Sequence, residues 1–307
     1  MRFPFTGVIP VDKPVGATSR QVVDAVARAL AMKAVGHAGT LDPLAEGVVV
    51  VCVGHATKLV DYLHQQSKRY QAVFLLGRSS PSDDLETPVV EEADPRRPLL
   101  EEIETALDSF RGEILQRPCD YSAVHVGGQR AYRLARKGRE LEIAAKPVRI
   151  DRLLLTAYDW PRLALDVECS TGTFIRAIGR DLAAALGTTA VMEGLVRTAV
   201  GPFTRDASLP LAAVTPDSAS ASLLPSLVAV PHLPRVALPD ALLDTAIRGG
   251  LIEPPAVAMP GSPAPAAVKA SPSAAIAACD EAGELVGILQ PHSSGAWRLR
   301  PNFRGTG

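Results

Sequence analysis

The hydrophobic pattern divides the chain into short strands and amphipathic helices. Val8 to Asp12 is a brief apolar run that stops at Lys13-Pro14-Val15-Gly16, a strand followed by a turn. Thr18-Ser19-Arg20-Gln21 has the form of a capping box, and Val22, Val23, Val26, Ala27 and Leu30 fall on one stripe. A helix is therefore expected from Ser19 to Met32. The glycine-punctuated stretch from Ala34 to Gly47 reads as a loop, and Val48 to Val53 as a strand buried on both faces. A short helix is expected over Ala56 to His64, a strand over Arg69 to Leu76, and a helix over 98–110. Arg117 to Lys146 is polar and basic, with a helical patch near Arg130 to Lys137, and reads as an excursion from the core. Strands follow at Ile150 to Tyr158 and Leu163 to Cys169, where apolar and more polar residues alternate. Then come a turn at Ser170 to Thr173, a helix from Phe174 to Leu186, and a strand-like segment from Leu195 to Phe203.

Beyond Pro210 the composition shifts to Ser, Ala and Pro, and a domain boundary is expected near residue 232. The last part holds short strands at Ala274 to Cys279, Leu285 to Leu289 and Trp297 to Leu299, with a Pro/Ala-rich segment from Glu253 to Pro272 that reads as a disordered insertion.

With 47% hydrophobic and 21% charged residues, the 307-residue chain reads as a folded protein of one large and one small domain. The net charge of -1 gives no general attraction to polyanions, so any nucleic-acid site must come from local segregation of charge. Such segregation exists. Asp83 to Asp108 carries ten acidic residues against Arg96 and Arg97, while Cys119 to Arg149 carries seven basic against three acidic. The bland reading of either block is a solvated face.

Cys52, Cys119, Cys169 and Cys279 have no metal-ligand spacing among them and read as reduced thiols of a cytoplasmic protein. Met1 to Pro10 is too poor in apolar length for a signal peptide, and no run reaches the roughly 18 apolar residues of a membrane helix.

Candidate chemistry sits in the loop Gly36 to Gly47. Its glycines and Pro43 bend the backbone tightly and hold Asp42 in front of a buried strand. A carboxylate held this way serves as nucleophile, base or metal ligand, or caps the turn before Pro43. Nothing nearby supplies a convincing metal set, and the chain has no dinucleotide fingerprint or P-loop.

Gly36-His37-Ala38-Gly39-Thr40-Leu41-Asp42-Pro43-Leu44-Ala45-Glu46-Gly47 resembles the GHxGTLDPxAxG signature of the TruB family of pseudouridine synthases. Asp12-Lys13-Pro14-Val15-Gly16 matches its N-terminal DKPxG, and Lys68-Arg69-Tyr70 its KxY motif. Cys169 to Arg176 resembles CSxGTYIR, and Leu195-Val196-Arg197-Thr198 resembles LxRT. Five motifs occur in the family's order over roughly residues 7 to 205, which chance does not explain.

The resemblance implies an α+β fold: a mixed, largely antiparallel sheet with flanking helices over 1–231, and a small β-barrel-like, PUA-type RNA-binding domain over 232–307. It implies that Asp42 is the catalytic aspartate acting at C1′ of a uridine, paired with Arg176. Tyr70 would stack on the uracil and stand close enough to act as a base. Phe174 and Leu195 would line the pocket, and His37 would fill the gap left in the RNA stack. The basic segment of about 119–149, Lys13 and Arg197 would contact RNA. The implied reaction converts one uridine of the T-loop arm of tRNA, position 55, to pseudouridine, without cofactor or metal. The partner would be tRNA, with no membrane, no obligatory protein partner and a monomeric state. Two departures stand out: Phe174 replaces a frequent Tyr, and Val196 a frequent Arg. Two other readings of the same motifs are an RNA-guided synthase that needs partner proteins and a tRNA-binding folding helper with dispensable catalysis.

Overall fold

The computed structural model describes residues 3–138, 141–253, 257–258, 265–266 and 274–304. The main strands of the large sheet are β1 (Gly7–Lys13), β2 (Val35–Ala38), β3 (Glu46–Val53), β4 (Lys68–Leu76), β5 (Gly112–Gln116), β6 (Lys146–Asp159), β7 (Arg162–Cys169), β8 (Ala190–Val200), β9 (Phe203–Thr204) and β10 (Leu209–Pro210). They order as β10-β1-β3-β8-β4-β7-β6-β5, with β2 on β3 and β9 on β8. Only β1–β10 and β3–β8 pair in parallel; the other pairings are antiparallel. The sheet is thus mixed and largely antiparallel, and with its helices the fold is α+β, as the family resemblance implies.

The run of valines explains the centre of the sheet. Gly47 to Val53 are all buried, because β3 is covered on both faces. Val49, Val51 and Val53 point into a core beneath helices α1 (Ser19–Ala29), α3 (Leu100–Asp108) and α5 (Ile175–Ala185), through Val22, Val26, Ile103, Leu107, Ile178 and Leu182. Val48, Val50 and Cys52 point the other way, against Leu59, Leu63, Leu233, Ala277, Ile288 and Phe303. Alternation along a strand sends successive side chains to opposite faces, so an unbroken apolar run fits only a doubly covered strand.

Three sequence expectations change. Helix α1 stops at Ala29 rather than Met32, because Ala31 adopts a left-handed φ of 51° and the Met32 N–H closes on the Ala27 carbonyl at 2.9 Å. Residues 35–38 form β2 instead of loop, paired with Val50 to Val53. Ala56 to His64 splits into a 3-10 turn, Gly54–Leu59, and the short helix α2 (Val60–His64).

The C-terminal part forms a separate six-stranded sheet containing Arg235–Ala237, Ile276–Cys279, Leu285–Pro291 and Trp297–Asn302, with the helix Asp240–Ile247 beside it. It shares the apolar cluster on the second face of the large sheet. Lys58 Nζ donates to the Asn302 carbonyl at 3.1 Å, and Gln290 Nε2 to the Tyr62 hydroxyl at 3.0 Å. Most of the expected Glu253–Pro272 insertion lies outside the described residues.

Candidate active site

The sheet opens at its middle. On the same edge of β3, β2 takes Val50 to Val53, while β8 pairs only with Glu46 and Gly47. The loop from Gly39 to Ala45 leaves through the gap between them. Arg197, on β8, fills that gap: its Nε donates to the Val48 carbonyl at 2.7 Å, and Nη1 and Nη2 reach the Thr40 and Gly39 carbonyls at 3.2 Å. A guanidinium with five fixed donors suits three unpaired carbonyls.

Other ties fix the loop from the N-terminal side. Ser19 Oγ accepts from the Leu41 N–H at 2.9 Å and donates to the Leu41 carbonyl at 3.1 Å. Lys13 is fully buried, and its Nζ donates to the carbonyls of Pro14, Ala17 and Ala45 at 3.0, 2.8 and 2.5 Å. Lys13 and Arg197 therefore reach no surface on which a phosphate could sit, contrary to the sequence expectation. Both cations serve the backbone of the Asp42 loop instead.

Held in this way, Asp42 projects into a pocket of about 570 Å³ between the loop, α5 and the basic segment. Its side chain is 42% exposed, while that of its partner Arg176 is 7% exposed, with Arg176 Nη2 3.1 Å from Asp42 Oδ2. Arg176 is itself locked. Nη1 lies 3.0 Å from Asp84 Oδ2 and donates to the Ser82 carbonyl at 2.8 Å, and Nη2 donates to the Tyr121 carbonyl at 2.9 Å. Burial works against the Arg176 charge, but Asp42, Asp84 and Asp83 outweigh it and the pKa rises.

Asp84 is 1% exposed; its Oδ1 accepts from Ser82 Oγ at 2.5 Å and from the Glu86 N–H at 2.9 Å. Sequence reading missed it, because it sat within an acidic block taken as a solvated face. The turn residues Ser80-Pro81-Ser82 ahead of it were the available signal.

Tyr70, Phe174 and Leu195 line the same pocket, together with Thr18, Tyr121 and Ile175. Tyr70 lies opposite Arg197 on β8 and Val167 on β7. Burial pushes its phenol above the ordinary value, and Arg197 only partly opposes this. The first KxY position, Lys68, is buried and donates to the carbonyls of His64 and Gln66, both at 2.6 Å. His37 stands on β2, outside the pocket lining, and burial followed by Arg197 lowers its pKa.

The basic segment reaches the rim. Arg130, Tyr132 and Arg136 line the pocket, and the guanidinium carbons of Arg133 and Arg136 lie 5.9 and 5.7 Å from the Tyr132 ring centroid. The helical patch is α4 (Ala131–Ala135). Among the described residues no cluster of three or more His, Cys, Asp or Glu forms a metal site, and no helix is long and apolar enough to cross a membrane.

The solved structures that resemble the chain show its fold. The archaeal box H/ACA sRNP Nop10–Cbf5 complex superimposes with a TM-score of 0.72 at 21% identity, covering 97% of this chain and 86% of that one. An H/ACA RNP bound to a substrate RNA containing 2′-deoxyuridine gives 0.71 at 23% identity, covering 97% and 84%. In sequence, the chain is 44% identical over 209 residues to tRNA pseudouridine synthase B of Rhodopirellula baltica, covering 66% of this chain and 60% of that one. It is 44% identical over 204 residues to the Mycobacterium tuberculosis protein of the same name, covering 65% and 68%. It is 42% identical over 251 residues to that of Gloeobacter violaceus, covering 79% and 85%. Residues 27–175 match the model of the TruB family pseudouridylate synthase N-terminal domain. With that match, and with a relative covered over most of its length at this identity, the chain belongs to the TruB family of pseudouridylate synthases, which are isomerases.

Proposed function

We propose that the protein isomerises uridine 55, in the T-loop of tRNA, to pseudouridine. The observation that carries this reading is the Asp42 carboxylate, presented at 3.1 Å from a buried guanidinium in a pocket of about 570 Å³. That volume admits a single flipped nucleoside, and the rim beside it is basic and aromatic.

The chemistry asks for these features. The C1′–N1 glycosidic bond breaks, the uracil turns while still bound, and C5 bonds to C1′. The C5 proton is then lost and N1 ends protonated, so the product is an isomer of the substrate. Asp42 acts at C1′, where positive charge or a covalent bond develops. Arg176 keeps the carboxylate oriented. Tyr70 and Phe174 give the base faces to stack on, offsetting the few kcal/mol that extrusion from the RNA stack costs. Because burial holds the Tyr70 phenol protonated, its environment favours stacking and hydrogen bonding over the role of base. Arg130, Arg136 and Tyr132 meet the flanking backbone, and His37 occupies the space the base leaves. Residues 1–231 carry the reaction, and the C-terminal sheet adds RNA contacts. The protein acts in the cytoplasm as a monomer with no obligatory protein partner.

The test is tritium release from tRNA transcripts labelled at C5 of uridine. Release by the wild type, none by Asp42→Asn, and none from a transcript in which uridine 55 is replaced by cytidine are the expected results. Release from other positions would overturn the site assignment. Release that needs added protein would favour the RNA-guided reading.

A further inference from the structure

The start of α5 is tied to the root of the basic segment by four hydrogen bonds. Gln116 Oε1 accepts from the Phe174 N–H at 2.8 Å, and Gln116 Nε2 donates to the Phe174 carbonyl at 3.1 Å. Arg176 Nη2 donates to the Tyr121 carbonyl at 2.9 Å, and Arg180 Nη2 to the Arg117 carbonyl at 2.8 Å. Phe174 is the N-cap residue of α5, with extended φ and ψ and no capping hydrogen bond of its own side chain. Its backbone is instead held by a side chain 58 residues away, whose amide presents a donor and an acceptor as a neighbouring strand would.

Gln116 is 2% exposed, so neither bond has water as a ready substitute. It is the last residue of β5, paired in register with Lys146, at the point where the chain leaves the sheet to form the basic segment and where it returns. Phe174 lines the pocket, and Arg176, which holds Asp42, lies two residues further on.

We infer that Gln116 is a positioning residue for the isomerisation. By clamping the Phe174 backbone it fixes the entry of α5, and so fixes together the aromatic wall of the pocket and the arginine that orients Asp42. It also makes the root of the RNA-gripping segment and the catalytic carboxylate parts of one hydrogen-bonded unit. This inference rests on the proposed reaction. Gln116 is buried and touches neither a reacting atom nor the RNA surface, so its removal acts through the placement of Phe174 and Arg176 and weighs more on the chemical step than on transcript affinity.

The test compares the wild type, Gln116→Met and Gln116→Glu in single-turnover tritium release at saturating tRNA transcript, alongside transcript affinity and thermal unfolding. Gln116→Met keeps the length and loses both bonds. It should slow the single-turnover rate on the order of 10- to 100-fold, as expected for a misplaced reacting group, with affinity within about threefold of wild type. Gln116→Glu keeps the acceptor for the Phe174 N–H and loses the donor, so its rate should fall between the two. A folded Gln116→Met protein at the wild-type rate, or one that loses only affinity, overturns the inference. If Gln116→Met does not fold, a folded Gln116→Glu protein at the wild-type rate overturns it equally. A wild type that releases no tritium overturns the proposed reaction and this inference with it.

Discussion

Arg176 stands between two carboxylates of opposite character: Asp42, which faces the pocket, and Asp84, which is buried at its other nitrogen. The buried partner and the carbonyls of Ser82 and Tyr121 fix the guanidinium, and the guanidinium fixes the exposed partner. The plane of an arginine fork makes this relay directional in a way that a lysine ammonium cannot reproduce.

Arg176→Lys should therefore fold but lose on the order of 10²-fold in turnover, with tRNA affinity nearly unchanged, because one ammonium cannot span both carboxylates. Arg176→Met should be worse for the fold itself. It strands Asp84 in the interior without its cation, a change that costs about 3–5 kcal/mol. Asp42→Asn should abolish turnover, by about 10³-fold or more, without loss of stability, since the side chain is 42% exposed. Single-turnover tritium release and urea unfolding separate these outcomes. A stable Arg176→Met protein with ordinary turnover would sink the relay.

Lys13→Met tests the role assigned to a buried cation. Three carbonyls lose their donor, and the Ala45 carbonyl lies inside the Asp42 loop. Stability should fall on the order of 2 kcal/mol. The slope of tRNA affinity against salt should stay as in the wild type, because no phosphate contact is removed. A reduced salt slope would return Lys13 to the RNA surface.

Gly47→Ala should damage the place where the sheet divides. Gly47 has a φ of +107°, and a Cβ there would overlap the Arg197 backbone, carbonyl oxygen first. Backbone strain and the overlap act together, so the loss should be on the order of 3 kcal/mol, with turnover falling as the Asp42 loop loosens. Thermal unfolding with side-by-side tritium release measures both. Unchanged stability would mean that the junction of β3 and β8 gives way more readily than its geometry implies.

The periodicity carried the frame of the fold because burial leaves a direct trace in sequence. Val48 to Val53 reads as a doubly covered strand for the reason that it is one. Residues 35–38 were illegible as a strand, because two of the four, Gly36 and His37, carry no strand preference and only pairing with Val50 to Val53 makes them extended. Asp42, Arg176, Tyr70, Phe174 and Leu195 come together in one pocket, although chain distance alone says nothing of it. Lys13, Arg197 and Asp84 went the other way. A charged residue looks solvent-facing until its partners are known, and here the partners are backbone carbonyls and a guanidinium brought in by the fold.

Alkaline pH should destabilise the protein through its buried thiols. Cys52, Cys119 and Cys169 are all buried, and burial raises Cys52 from the ordinary 9.0 to about 12 and Cys169 to about 11, with Cys119 raised as well. In the unfolded chain these thiols ionise near their ordinary value, while in the folded protein they keep their protons. The folded state thus binds more protons above about pH 9. The contribution of each thiol is fully present below that pH and is lost as pH rises through the folded value, at up to about 1.4 kcal/mol per pH unit per group. Cys52→Ala leaves a small cavity and lowers the level of the stability curve, but it removes one titrating group and should flatten its slope between about pH 9 and 12. Urea unfolding at closely spaced pH values reads the slope separately from the level. An unchanged slope would mean that Cys52 ionises in the folded protein as readily as it does in the unfolded chain.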